Sequence, residues 1–233
     1  DIEIIDTEIL LADLESLQKR LEKSNKKKID KDELIFLEEC LELINNGKKP
    51  EELKKKFDKN IIKKSALLSL KPSIIVCNVD EKSLSKGNKY SDLCIKKFYD
   101  ENVIIVCANI EDQIMNLKIK DRQDFMIESG IKDTGLNNLI KTGYKTLGLS
   151  TFFTSGPEES RAWTIEKNST AANAAGIIHT DFEKKFIRAE TVSHDDFIKY
   201  KGFNECKIEG KLRLEGKDYV VKDGDVMFFR TSA

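Results

Sequence analysis

Residues 73–81 read SIIVCNVDE, and residues 103–111 read VIIVCANIE. Each stretch begins as a continuous run of β-branched and other apolar residues, which is typical of a strand buried on both faces of a parallel sheet. Each then ends in a short polar segment. The pattern predicts two parallel strands whose polar ends form a loop pair suited to holding a nucleotide base.

A phosphate-binding loop does not accompany these strands. The Gly-Lys pairs of the chain begin at Gly47, Gly210 and Gly216, and none is followed by Ser or Thr as a P-loop requires. The chain also begins without Met. We therefore expect the base-reading and output part of a nucleotide switch, with the phosphate-binding part located elsewhere.

Composition is that of a charge-rich globular protein. The 233 residues are 39% hydrophobic and 35% charged, with a net charge of −1, so a global attraction to nucleic acid is not expected. We expect neither a membrane span nor a secretory signal. Five scattered cysteines without C-x-x-C spacing favour reduced thiols in the cytoplasm, and the isolated His179 and His194 argue against a metal site.

Residues 1–67 carry a helical repeat of apolar residues. Leucines at 10, 14, 17 and 21, followed by Leu34, Leu37, Leu41 and Ile44, form two heptad seams. Asp30 with Glu33 is typical of a helix start, and Asn46-Gly47 of a helix end. The pattern predicts a helical coiled-coil hairpin.

The remainder changes character twice. Residues 68–147 alternate strands with helices and are predicted to be an α/β piece, whereas short strands mixed with helices predict an α+β domain over residues 148–233. Strands are expected at 149–154, 161–166, 186–192, 218–221 and 226–229, with helices beginning near Thr170 and after Ser193. Asp223-Gly224-Asp225 predicts a turn.

Long segments of the chain resemble the YchF-type, Obg-like ATPases. The segments are residues 152–191, which begin FFTSGPEESRAW, residues 216–229 (GKDYVVKDGDVMFF), residues 1–21 and residues 67–81. The resemblance implies a P-loop G domain interrupted by the helical hairpin and followed by a β-grasp TGS domain. The chain would correspond to the hairpin, the C-terminal part of the G domain and the TGS domain.

The same resemblance implies a function. Members of this family bind and hydrolyse ATP, usually in preference to GTP, with Mg²⁺, and they associate with ribosomes. The family's phosphate loop, magnesium-binding residues and switch regions precede the hairpin, so the Mg²⁺ ligands are not expected in this chain. We expect the 233 residues alone to bind ATP poorly and not to hydrolyse it, because phosphate contacts supply most of the nucleotide affinity.

By this resemblance, Asn78, Val79 and Glu81 belong to the base-specificity loop, and Cys107, Ala108 and Asn109 to a second base-contacting loop. GTPases have N-K-x-D at the first loop, with Asn near the base N7 and Asp accepting from guanine N1 and N2. Adenine has no donors at those two positions, so the N-V-D-E found here favours ATP. The alternative is an ordinary strand-to-helix loop with an Asn cap.

Two sets of basic residues are candidates for contact with ribosomal RNA. The first surrounds the predicted hairpin tip, where the alternative is a solvated turn. The second lies in the TGS-like part. There, the alternative to an RNA-binding face is that Trp163 and Phe186 belong to the core of a sheet. A second hypothesis for the whole chain is a non-enzymatic adaptor that binds RNA, a ribosome or a protein through the hairpin and TGS domain. The candidate contact residues are Lys19, Arg20, Lys23, Lys26, Lys27 and Lys28, then Arg161, Lys184, Lys185 and Arg188.

Overall fold

The computed structural model describes residues 1–24, 30–98, 103–131 and 133–232. The chain divides into two compact units, Asp1–Ser73 and Ile74–Ala233. The predicted three-part division at 67/68 and 147/148 remains a prediction. Within the described residues, no helix is both long and apolar enough to cross a bilayer.

The first unit is helical. It contains α1 (Ile2–Ser24), α2 (Lys31–Asn45), a 3₁₀ turn (Glu51–Lys55) and α3 (Lys59–Ser65). Asp30 occupies the N-cap position of α2 as predicted, although its side chain makes no capping hydrogen bond. Gly47, just beyond α2, has φ +69°, the left-handed conformation that glycine adopts without a steric penalty.

The core of this unit is wider than the predicted two-helix seam. Leu17, Leu37 and Ile44 of the seam are buried, but Phe36 and Cys40 are buried as well. They are covered because the chain after α2 adds Leu53, Leu67 and Leu70 to the same cluster. The unit is therefore a small helical cluster with a third layer.

The second unit contains two sheets. The smaller one pairs β1 (Ile75–Asn78) with β2 (Val103–Val106) in parallel, which confirms the predicted arrangement of these strands. One described α-helix lies between the two strands, and three follow β2. They are α4 (Lys89–Phe98), α5 (Ala108–Asn116), α6 (Ile119–Glu128) and α7 (Gly135–Leu147).

The larger sheet has five strands in the order β4-β3-β7-β5-β6. Strand β3 is parallel to β7, and the other neighbours are antiparallel. The strands are β3 (Leu149–Ser155), β4 (Ser160–Glu166), β5 (Phe186–Ser193), β6 (Arg213–Glu215) and β7 (Asp225–Thr231), and the helices are α8 (Ala171–Ile178), α9 (Thr180–Lys184), α10 (His194–Tyr200) and α11 (Phe203–Ile208).

Helix α8 closes the core of the larger sheet. Its Ala171 and Ala174 are fully buried beside Phe152 and Met227, because small side chains let the helix approach the sheet closely. The predicted strand over 218–221 is wrong. Those residues form only an isolated bridge between Val220 and Thr170, and the sheet instead gains β6.

Candidate nucleotide-base site

The two polar loops predicted to read a base lie side by side. In the parallel register of β1 and β2, Asn78 is opposite Val106, so both strands end at the same edge of the sheet. The loops that follow enclose a cleft of about 520 Å³. The lining residues are Asn78, Val79, Asp80, Glu81, Lys82, Cys107, Ala108 and Asn109, which include every predicted base-site residue.

Backbone and side-chain hydrogen bonds join the loops. The Val79 N–H donates to the Val106 carbonyl at 2.8 Å. The Ala108 N–H donates to Asn78 Oδ1 at 3.1 Å, which satisfies one of the free N–H groups at the start of α5. Because the amide oxygen is engaged there, the Nδ2 group of Asn78 is the part that can donate to a base nitrogen.

Glu81 also lines the cleft. Its Oε1 accepts from Asn109 Nδ2 at 2.6 Å and from Gln113 Nε2 at 3.4 Å. Asp80 caps the 3₁₀ turn that Glu81 begins, accepting from the Ser83 N–H at 2.8 Å. Hydrogen bonds from Ser83 hold the pKa of the Asp80 carboxyl below its ordinary value.

Glu111, in the first turn of α5, connects this helix to α7. Its Oε1 accepts from the Gly135 N–H at 2.5 Å, at the start of α7. A Cβ on Gly135 would lie 2.7 Å from Cγ1 of Val106, so a larger residue would push α7 away from β2. Glycine at this position therefore allows the helix to pack directly against the strand that supplies the second loop.

Two cysteines near the site have little or only partial exposure to solvent: Cys107 is buried and Cys77 is half-buried. Cys107 is buried, so it contributes to the second loop mainly through its backbone. Burial, followed by contact with Cys94, raises the pKa of the Cys77 thiol. A raised pKa lowers the thiolate fraction at neutral pH, so the Cys77 thiol is a weak nucleophile.

Gln113 is a hydrogen-bond partner of Glu81 that sequence reasoning missed. It follows Asn109 by four positions on α5, and residues at that spacing share a helix face. The sequence signal that could have indicated Gln113 was therefore an amide residue one helical turn after Asn109. Lys82 and Asp80 also line the cleft but were not predicted to do so.

The first basic set is only partly described. Lys26, Lys27 and Lys28 lie outside the described residues. Lys19 forms an ion pair with Glu15, and Arg20 donates to the backbone carbonyls of Ser65 and Lys64, so Arg20 ties α1 to the end of α3. Lys23 is exposed in the last turn of α1.

The second basic set does not form one surface. Arg161 lies on the edge strand β4, on the sheet face that carries Trp163, and its guanidinium stacks over that ring at 4.8 Å. Arg188, on β5, pairs with Arg230 in the register and therefore lies on the opposite face from Ala189 and the core. Lys184 and Lys185 end α9. RNA contact by any of the four remains a prediction.

The core alternative is confirmed for the aromatic residues. Trp163 and Phe186 pack against the buried cluster of the larger sheet. His179 has a structural role, since its Nδ1 accepts from the Asp181 N–H at 3.1 Å and caps α9.

Comparison with known proteins places these features in context. Residues 149–232 match the family model YchF-GTPase_C, whose description is "Protein of unknown function (DUF933)". Proteins named "Ribosome-binding ATPase YchF" are 45% identical in Haemophilus ducreyi and 41% identical in Bacillus subtilis. Each alignment covers 99% of this chain, whereas the chain spans 65% and 66% of those relatives, respectively.

Solved structures agree. The Schizosaccharomyces pombe YchF GTPase superposes with a TM-score of 0.79 at 33% identity, over 99% of this chain and 65% of its own. A GTP binding protein from Pyrococcus horikoshii shares the fold, with a TM-score of 0.60 at 18% identity. The chain is thus a mixed α/β protein with the same fold as the matching part of that YchF GTPase structure. It belongs to the YchF family.

Proposed function

We propose that this chain is the base-reading and output part of a ribosome-associated, Obg-like ATPase that prefers ATP to GTP. The observation that carries the proposal is the cleft formed by residues 78–82 and 107–109. Its loops are joined by the Ala108 to Asn78 hydrogen bond, which supports a preformed site for a base.

The chemistry of the cleft fits a nucleotide base. Asn78 can donate through Nδ2 to N7 of a purine, and Glu81 can accept from an exocyclic amino group. Backbone groups of Cys107, Ala108 and Asn109 border the same space. Val79 replaces the lysine of the guanine-type loop, which removes one contact with a guanine nucleotide.

The proposal includes the finer division of the fold. Residues 1–67 would be the coiled-coil hairpin, 68–147 the C-terminal part of a P-loop G domain, and 148–233 a β-grasp TGS domain. The five-stranded sheet, with a parallel central pair and a helix packed on one face, supports the last assignment.

ATP, or GTP more weakly, would be the ligand, with its base in the cleft. Mg²⁺ supplies charge neutralisation at the phosphates in such enzymes. The described residues contain no group of three or more His, Cys, Asp or Glu side chains arranged to hold a metal. By the family resemblance, the magnesium ligands belong to the phosphate-binding part of the family fold, as expected from the sequence.

The ribosome is the proposed partner, in the cytoplasm. The names of the relatives from Haemophilus ducreyi and Bacillus subtilis support this partner. Among the predicted contact residues, the described and exposed ones that could bind phosphates include Lys23, Arg161, Lys184, Lys185 and Arg188. Such contacts would weaken as the salt concentration increases.

The test is ribosome co-sedimentation of the complete protein beside this chain, with and without ATP. We expect the complete protein to pellet in a nucleotide-dependent manner. Equal pelleting with and without nucleotide would contradict the switch and favour the non-enzymatic adaptor. Calorimetry with this chain alone should detect no micromolar ATP binding.

A further inference from the structure

The carboxylate of Glu81 is held by two side-chain amides from a single helix. Asn109 Nδ2 and Gln113 Nε2 both donate to the same oxygen, Oε1, at 2.6 and 3.4 Å. A carboxylate oxygen has two lone-pair directions, so two donors occupy Oε1 fully. Oε2 is the oxygen that remains to accept from a ligand.

The position of both amides is fixed by helix α5. Asn109 and Gln113 are one turn apart, while Ile110 and Ile114 on the same helix are buried in the core beneath it. The backbone of Glu81 is fixed as well, because Asp80 caps the turn that Glu81 begins. Both partners of the contact therefore lie on anchored elements.

Guanine and adenine differ in how many hydrogen-bond donors they present to a carboxylate. Guanine presents N1–H and N2–H₂ side by side, and this pair is matched by both oxygens of one carboxylate. Adenine presents a single exocyclic amino group, N6–H₂, which one oxygen can accept. A carboxylate with one oxygen already occupied keeps the adenine contact and loses half of the guanine contact.

We propose that Asn109 and Gln113 are positioning residues that set base specificity by occupying Oε1 of Glu81. The proposal deepens the base-reading function proposed above and rests on it. In this arrangement selection against guanine comes from the amide pair as well as from the replacement of Asp by Glu in the loop. The role of Gln113 is indirect, since it acts through the carboxylate.

Nucleosides test this idea in the chain as it stands, because they probe the base contacts without any phosphate contact. The measurement is titration of ¹⁵N-labelled protein with adenosine or guanosine, followed by NMR of the backbone and side-chain amide signals. The variants are Gln113→Met, which keeps the length of the side chain but has no N–H donor, and the double variant Asn109→Ala/Gln113→Met. The matched control is Asn116→Ala on the same helix, whose amide bonds to Asp112 at 3.2 Å, outside the cleft.

We expect adenosine to bind the unaltered chain more tightly than guanosine. Gln113→Met should raise the guanosine affinity relative to adenosine by about threefold, and the double variant by about tenfold, as expected for loss of one or two charge-assisted hydrogen bonds in water. Asn116→Ala should leave the ratio unchanged.

The failures of the two proposals are distinguishable. If both nucleosides bind in the cleft and the ratio is the same in all variants, the amide pair does not set specificity, and the base site stands. If neither nucleoside shifts the signals of residues 78–82 or 107–109 at millimolar concentration, the base site itself is contradicted. Unchanged backbone signals elsewhere in each variant establish that the fold is intact.

Discussion

The two sheets of the second unit differ in how completely they are covered. In the five-stranded sheet, Phe152, Ala189 and Met227 are fully buried. In the two-stranded sheet, Val76 and Ile104 are neighbours in the register, yet Val76 is 45% exposed and Ile104 only 6% exposed. Helices α4 and α7 pack against β2. They shield the side chains of β2 from solvent better than those of β1.

This difference separates two roles. The larger sheet has a closed core, and its stability comes from apolar residues that water does not reach. The smaller sheet has little core of its own, and its strands serve to bring two polar loops to one edge. Stability and the candidate site are thus concentrated on different sheets, and substitutions should affect one without the other.

The largest expected effect is on the core of the larger sheet. Phe152→Ala should lower the free energy of unfolding by about 3–5 kcal/mol, because it removes a fully buried aromatic side chain and leaves a cavity. The Phe152 ring packs edge-to-face against Phe229, and its centroid lies 6.5 Å from that of the Trp163 ring. The substitution therefore removes a packing neighbour from Phe229 and from Trp163. The measurement is urea unfolding followed by far-UV circular dichroism.

The matched control is Phe153→Ala, since Phe153 is the next residue of β3 and lies on the other, only partly covered face. We expect a clearly smaller loss. Equal losses for the two phenylalanines would show that the larger sheet is stabilised on both faces to the same degree.

Sequence reasoning succeeded where one local pattern determined the outcome. The continuous apolar runs predicted β1 and β2 and their parallel pairing, and Thr170 and Ser193 were correctly expected at helix starts. It failed at 218–221, where Tyr219 and Val221 have a strand-like pattern but turn into the core as part of a loop. Their conformation depends on the neighbours Ala171 and Asp225, which no local pattern contains.

The candidate site, like the fold, could be predicted from the sequence only in part. Resemblance supplied the six loop residues, and the parallel register explains why they meet. Gln113 was missed because its part in the site depends on the reach of its side chain across to Glu81. Arg20 was expected at an exposed tip, but charge alone could not reveal that two carbonyl groups of the α3 end bind it.

The second prediction concerns the smaller sheet. Asn78→Ala should lower adenosine affinity by about tenfold, because it removes the Nδ2 donor to the base and the acceptor for the Ala108 N–H. Urea unfolding monitored by Trp163 should change little, since this residue reports on the larger sheet. A change in unfolding as large as that of Phe152→Ala would contradict the separation of roles.

A smaller, pH-dependent effect is expected in the polar part of the larger sheet. Burial, followed by its hydrogen bond to Asp225, raises the pKa of Tyr219 to about 12 from an ordinary 10.0. The folded chain therefore holds this proton more tightly than the unfolded chain. The associated stability is complete below about pH 10 and is lost as the pH rises toward 12.

Tyr219→Phe tests this assignment. The urea midpoint of the unaltered chain should fall between about pH 10 and 12, as the unfolded state ionises first, and this fall should be shallower in Tyr219→Phe. Tyr90→Phe serves as the control because Tyr90 is 65% exposed and should leave the slope unchanged. Identical slopes in Tyr219→Phe and the unaltered chain would remove Tyr219 as the source.

The smallest effect is expected at Val76. Because nearly half of this side chain is exposed, Val76→Ala should change the free energy of unfolding by no more than about 0.5–1 kcal/mol. Its register neighbour provides the contrast, since Ile104→Ala should cost about 2–5 kcal/mol for a buried side chain. Hydrogen exchange of the β1 and β2 amides is the suitable measurement, because it reports on this sheet alone. A Val76→Ala loss equal to that of Ile104→Ala would mean that β1 is covered in solution as fully as β2, and the contrast between the two sheets would disappear.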